Sequence, residues 1–242
     1  FLSEIHKGVG LRQSAKQLPN VSKGPTKMSR ITLLVLLLFS TGLAGVGTAH
    51  GQSAPDTTQV ENPELRRTLL AMKERDQQIR QALVEKQQSG AQLTFEDVAR
   101  IDSVDQIHTA RMKTLVDAHG WPGTDLVGPE GANAAFLLVQ HADHDLAFQK
   151  RCLTLLREAL ADEQAPGRQV ALLTDRVRVA EGQPQLYGTQ AQLQNGEIVF
   201  QPIEDSLQVN ERRAEMGLMP IEEYEQRMRE MYLQQSGGAP EK

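Results

Sequence analysis

The chain has 242 residues, 39% of them hydrophobic and 24% charged, with a formal net charge of −5 and a single cysteine. An acidic balance is repelled by phosphates, which argues against nucleic acid or an anionic membrane surface as a partner. With Cys152 alone, no intramolecular disulfide can form, and its neighbours RCLTLLREAL make it a small buried hydrophobe rather than a reactive thiol.

The first methionine is Met28, followed by Ser29, Arg30 and the apolar run ITLLVLLLF. A short basic start, an apolar stretch and small residues before a cleavage site are the layout of a secretory signal peptide. Residues 28–51 are therefore expected to be a signal peptide cleaved after Ala49 or Gly51, and residues 1–27 a non-native upstream translation or misplaced start. The alternative is an uncleaved N-terminal membrane anchor, since the stretch approaches the roughly 20 residues that a span needs. Residues 1–51 hold six basic residues and one acid, so an exported mature chain would carry 20 basic against 30 acidic residues.

Residues 52–62 form a polar linker, and residues 63–233 are expected to fold as one mostly helical domain, with 234–242 a disordered tail. Asn62-Pro63 opens a helix with proline in its first turn, and Leu65, Leu69, Met72, Ile79 and Leu83 recur at helical spacing, interrupted by the charged ERDQQIR. A second helix starts at Thr94 and carries Val98, Ile101, Val104, Ile107, Met112, Leu115 and Val116 to His119-Gly120. The two are expected to pair antiparallel. The Gly- and Pro-rich HGWPGTDLVGPEG reads as a loop, residues 131–161 as a third helical region, and Pro166 opens a fourth helix that leads into DRVRV. Asn195-Gly196 is a strong hairpin signal between YGTQAQL and EIVF. The chain then returns to helix in VNERRAEMGL, breaks at Met219-Pro220 and ends in IEEYEQRMREMYL. The expected fold class is thus mainly α (α+β), a helical domain with one β-hairpin packed on it.

One stretch is over-supplied with titratable groups. AAFLLVQHADHDLAFQK begins as an apolar helix and then places His141, Asp143, His144 and Asp145 within five positions. On a helical wheel His141, His144 and Asp145 share an arc with Leu137 and Phe148, as at the wall of a pocket. His141 and Asp145 stand i, i+4, a spacing that permits an imidazole–carboxylate bond fixing the tautomer. That makes His141, Asp145 and, after the apolar run LLT, Asp175 the catalytic candidates. Arg176 beside it, Gln185, Tyr187 and Gln190 in GQPQLYGTQ, and Arg213 in NERR are the candidate ligand-binding residues. No cofactor motif is present. A divalent metal at His141 and His144 is the weaker chemical reading, because one short helical segment rarely aims three ligands at one ion and no HExxH pattern occurs.

The ordered motifs HGWPG (119–123), FLLVQHADHD (136–145), TDRV (174–177), GQPQLYGTQ (182–190), PIED (202–205) and RRAEMGL (212–218) resemble those of a bacterial domain family of unknown function over roughly Glu64 to Met228. The resemblance implies that these polar motifs form a recurring set, and it carries no activity. Two function classes follow from the residues. One is an exported enzyme of hydrolase or transferase type acting on a polar substrate. The other is a non-catalytic envelope binding or interaction module, with an envelope protein as partner, whose polar motifs form a structural network.

Overall fold

The computed structural model describes residues 60–194 and 197–235. The expected signal segment, the upstream residues, most of the linker and the Asn195-Gly196 turn lie outside those residues. Among them are seven α-helices and one hairpin, in the order α1 (Pro63–Gln88), α2 (Phe95–His119), α3 (Thr124–Gln140), α4 (Leu146–Ala161), α5 (Gly167–Ala180), β1 (Ala191–Gln194), β2 (Glu197–Phe200), a 3-10 turn (Ser206–Gln208), α6 (Val209–Glu215) and α7 (Ile221–Gln235). The protein is mainly α with a β-hairpin, as the periodicities imply. None of these helices is long and apolar enough to cross a membrane.

The helix starts follow from local chemistry. Asn62 caps α1 by accepting the Leu65 N–H at 2.9 Å, and Pro63 fills a first-turn position where no donor is needed. Thr94 and Asp97 form a reciprocal capping box at α2. Lys86 pairs with Asp97 and Arg80 with Asp105, so α1 and α2 run antiparallel. Arg66 reaches Glu130 and Asp76 reaches His141, so α3 returns parallel to α1, its main packing partner. Ala132, Ala134 and Ala135 on α3 allow that close approach. One continuous core joins Leu65, Leu69, Met112, Val116, Phe136, Leu138, Leu156 and Leu173, with Cys152 inside it. Burial pushes the Cys152 thiol up to about 12, which leaves it protonated and inert.

Two expectations are corrected. The stretch expected to be a loop through Gly131 is helical from Thr124, kinked at Gly128, whose φ of 72° and close approach to Arg66 both suit glycine. The single helical region expected over residues 131–161 is two helices, α3 and α4, separated by a turn at residues 141–145. The last helix also continues to Gln235, two residues into the expected tail.

The hairpin is antiparallel with Ala191 opposite Phe200 and Gln194 opposite Glu197. Ile198 and Ala191 pack on Met228, and Phe200 and Tyr224 lie beside them, so α7 backs the sheet. A two-stranded hairpin is marginal in isolation and takes its stability from this helical support.

Candidate functional site

The turn between α3 and α4 explains the run of titratable groups that interrupts the apolar helix. His141 is the C-cap of α3, and Asp145 is the N-cap of α4, accepting the Phe148 N–H at 3.0 Å and pairing with Lys113. The buried Gln149 amide donates to the Val139 and Gln140 carbonyls at 3.2 Å and to Asp143 at 3.1 Å, closing the end of α3. Because α3 has already ended, the i, i+4 bond expected between His141 and Asp145 is not formed. The carboxylate that meets His141 comes from α1 instead: Asp76 Oδ1 lies 3.0 Å from Nδ1.

This dyad is part of a buried charge cluster. Arg80 donates through Nε to Asp76 at 3.1 Å and through Nη2 to Asp105 at 2.5 Å. The side chains of Asp76, Arg80 and His141 are 1%, 4% and 2% exposed. Burial is the largest influence on Asp76 and favours its neutral form, but His141 and Arg80 together outweigh it and hold the carboxyl below the usual range. Burial lowers His141, and Arg80 adds to that against the pull of Asp76. His141 is thus a neutral imidazole at neutral pH, donating Nδ1–H to an ionised Asp76 and keeping a lone pair on Nε2. That nitrogen is buried and has no hydrogen-bond partner. Burial pushes Asp105 up to about 7, with Asp76 and Asp143 adding to the rise and Arg80 opposing it.

Arg80, Asp105 and His141 of this cluster line a cleft of about 340 Å³. One wall is α2, presenting Val98, Ile101, Asp102, Asp105 and Gln106. The other is the end of α5 and the base of the hairpin, with Arg176, Val179, Gln190 and Gln201. Arg176 Nη1 donates to both oxygens of Asp143 at 2.8 Å, which keeps the Asp143 carboxyl low against its burial. Two guanidinium donors in the cleft-lining residues, Arg80 Nη1 and Arg176 Nε, are buried without an acceptor. An unmet buried donor costs about 1–3 kcal/mol, so a ligand atom that satisfied it would recover that free energy.

Of the residues singled out from the sequence, His141, His144, Arg176 and Gln190 line this cleft, and the other five do not. Asp145 is a helix cap. Asp175, fully buried on α5, accepts the backbone N–H of Leu186 at 2.7 Å, of Tyr187 at 3.1 Å and of Thr189 at 3.0 Å, and the Thr189 hydroxyl at 2.9 Å. Gln185 bridges the Gln190 and Gln201 carbonyls at 2.9 and 2.8 Å and accepts the Gln190 N–H. Arg213 donates to the Met219 and Tyr187 carbonyls at 2.6 Å and lies over the Tyr224 ring. These three, with the buried Tyr187, fasten GQPQLYGTQ and the hairpin to the helices.

Sequence reasoning missed Asp76, Arg80 and Asp105. A signal was present. Asp76 and Arg80 continue the buried stripe Leu65, Leu69, Ile79 and Leu83 of α1, and Asp105 and His108 fall in step with Ile101, Met112 and Leu115 on α2. Charges in phase with a core face are placed there for a reason other than solvation.

Asp76, Asp105 and His141 bring ligating atoms within 4.8 Å of one another, a separation one ion could span. Arg80 already supplies the positive charge to both carboxylates, and His144 is not part of that group, so the triad is not assigned as a metal site.

The chain belongs to DUF6624, a family of unknown function whose model matches residues 63–235. No curated protein and no solved structure matches it.

Proposed function

We propose that this member of DUF6624 is a hydrolytic or group-transfer enzyme in which His141 is the general base, oriented by Asp76. The observation that supports the reading best is the unpartnered Nε2 of a buried, neutral histidine in a residue that lines a cleft. A carboxylate on Nδ1 fixes the tautomer that leaves Nε2 free to accept a proton, the arrangement that general-base catalysis requires. No Ser, Thr, Cys or Lys lines the cleft among the described residues. His141 therefore activates a water or a bound hydroxyl rather than a protein nucleophile.

Charge narrows the substrate. Arg80 and Arg176 contribute two positive charges, whereas Asp76, Asp102 and Asp143 contribute three negative ones before Asp105 is counted. A dianionic phosphate would meet net repulsion. A neutral polar ester or amide suits that balance better. In this reading the chain is exported, residues 28–51 are removed and residues 63–233 form one catalytic domain, as the run ITLLVLLLF and the small residues after it support.

The test is hydrolysis of p-nitrophenyl acetate and p-nitrophenyl phosphate by the wild type and His141→Gln. Turnover of the acetate alone, falling about 10²-fold or more in the variant, is expected. Equal rates in the two proteins would refute the role of His141. Absence of any turnover would favour the non-catalytic binding module.

A further inference from the structure

We propose that Asp105 is a second catalytic residue in the cleft, the proton donor to the leaving group of a neutral ester or amide. This rests on the reading of His141 as base. Asp105 and His141 lie on different elements, α2 and the α3–α4 turn, yet a ligating atom of each lies within 4.8 Å of the other and both residues line the same cleft. Arg80 Nη2 donates to Asp105 Oδ1, which leaves Oδ2 as the oxygen that can carry a proton. The surroundings push the two groups apart in the sense that assigns the roles. His141 is held neutral and able to accept, and Asp105 is raised to about 7 and able to donate. Pairs of titratable groups separated in this way mark acid and base in hydrolytic sites.

The charges around Asp105 come from every packed element. On α1 they are Arg80 and Asp76. In the α3–α4 turn they are His141, His144 and Asp143, the last tied to Arg176 of α5. On α2 itself they are Asp102 and His108. The hairpin contributes only the neutral Gln190 and Gln201.

The proton balance closes over one turnover. His141 Nε2 takes a proton from water as its oxygen bonds to the carbonyl carbon. The bond from that carbon to the leaving group then breaks, and Asp105 gives its proton to the departing oxygen or nitrogen. The products are the carboxylic acid and the protonated leaving group. His141 is left as imidazolium and Asp105 as carboxylate, and a proton returned through solvent from the first to the second restores both. A general acid matters most where the leaving group is a poor one, and that dependence separates chemistry from scaffold.

The experiment compares the wild type with Asp105→Asn on two probes, p-nitrophenyl acetate and ethyl acetate, across pH. Asparagine keeps the shape and an acceptor for Arg80 but cannot donate an acidic proton. The expected result is a loss of about 10²-fold or more on ethyl acetate against less than tenfold on the nitrophenyl ester. The fall in kcat/KM above about pH 7 should disappear with the carboxyl. An equal loss on both probes, with the high-pH limb retained, would overturn the assignment. If the wild type turns over neither probe, the reading of the site as an acyl hydrolase has failed on its own account. The assignment of Asp105 as proton donor to a leaving group falls with it, and carbon-13 NMR of its carboxyl titration then tests only whether the group keeps a proton near neutrality. A midpoint below about 5, in the ordinary carboxylate range, would overturn that as well.

Discussion

Replacing Asp105 with asparagine should make the protein more stable at pH 8. A carboxyl whose folded pKa stands at about 7 against an ordinary 3.8 keeps its proton in the native state where the unfolded chain has released it. Between about pH 4 and pH 7 the folded state therefore holds more protons than the unfolded state, and stability falls as pH rises through that window. Once both states are ionised the cost is roughly 4 kcal/mol. The side chain is only 14% exposed, so solvent screening removes little of it. Asparagine avoids the charge and keeps an acceptor for Arg80, whose attraction for the carboxylate is already contained in that cost. The net gain at pH 8 is therefore roughly 4 kcal/mol, shrinking to nearly nothing below about pH 4, where the wild-type carboxyl is protonated in both states. Urea denaturation of both proteins at pH 4, 6 and 8 measures this directly. The difference between them cancels the opposing titration of His141, whose depressed pKa weakens the fold as pH falls below 6.5. A variant less stable than wild type at pH 8, or a gain that does not change with pH, would refute the reasoning.

Other substitutions separate the scaffold from the cleft. Asp76→Asn should destabilise by about 3 kcal/mol, because it leaves Arg80 buried with half its compensation and His141 with a weaker acceptor; equilibrium unfolding at pH 7 would show it. Asp175→Asn should cost about 2–4 kcal/mol, since an amide cannot accept all four donors that converge on the carboxylate. If Asp175 instead served catalysis, activity would collapse while the melting temperature held. Gly188→Ala should lower the melting temperature by several degrees, because φ there is +64° and an added Cβ would stand 2.5 Å from Ile221 Cδ1; a thermal scan decides it.

The helices were legible because apolar residues recur at helical spacing and the caps are chemically distinct. The two failures have local causes. Between Trp121 and Gly131 a high density of glycine and proline masked a helix that takes glycine at its kink and proline just after it, and glycine again at Gly131, where a Cβ would stand 2.8 Å from Val127. Between His141 and Asp145 the hydrophobic phase continues into Leu146 and Phe148, so periodicity ran past a turn that polar caps create. The histidine was legible but its partner was not. A sequence shows which residues are near each other along the chain, whereas Asp76 stands 65 positions from His141 and meets it because α3 packs parallel to α1.

The two polar networks of this fold differ in how completely they are satisfied, and that difference separates their roles. Around Asp175, Gln185 and Arg213 the donors and acceptors meet at 2.6–3.4 Å, tying the hairpin to the helices. A network that only holds a fold gains most when it is saturated, since each unmet group costs about 1–3 kcal/mol. The cluster under the cleft is not saturated: Arg80 Nη1, His108 Nδ1, His141 Nε2 and Arg176 Nε are all buried without partners. An apolar floor would be the cheaper way to close α1 against α2 and α3, given how weakly buried ion pairs stabilise a fold compared with hydrophobic replacements of similar volume. Two arginines, three histidines and four aspartates gathered there suit a polar ligand better than a purely structural floor. The same physics makes Asp105→Asn the informative substitution, since a change that strengthens the fold while slowing turnover of the poorer leaving group would belong to a site and not to a scaffold.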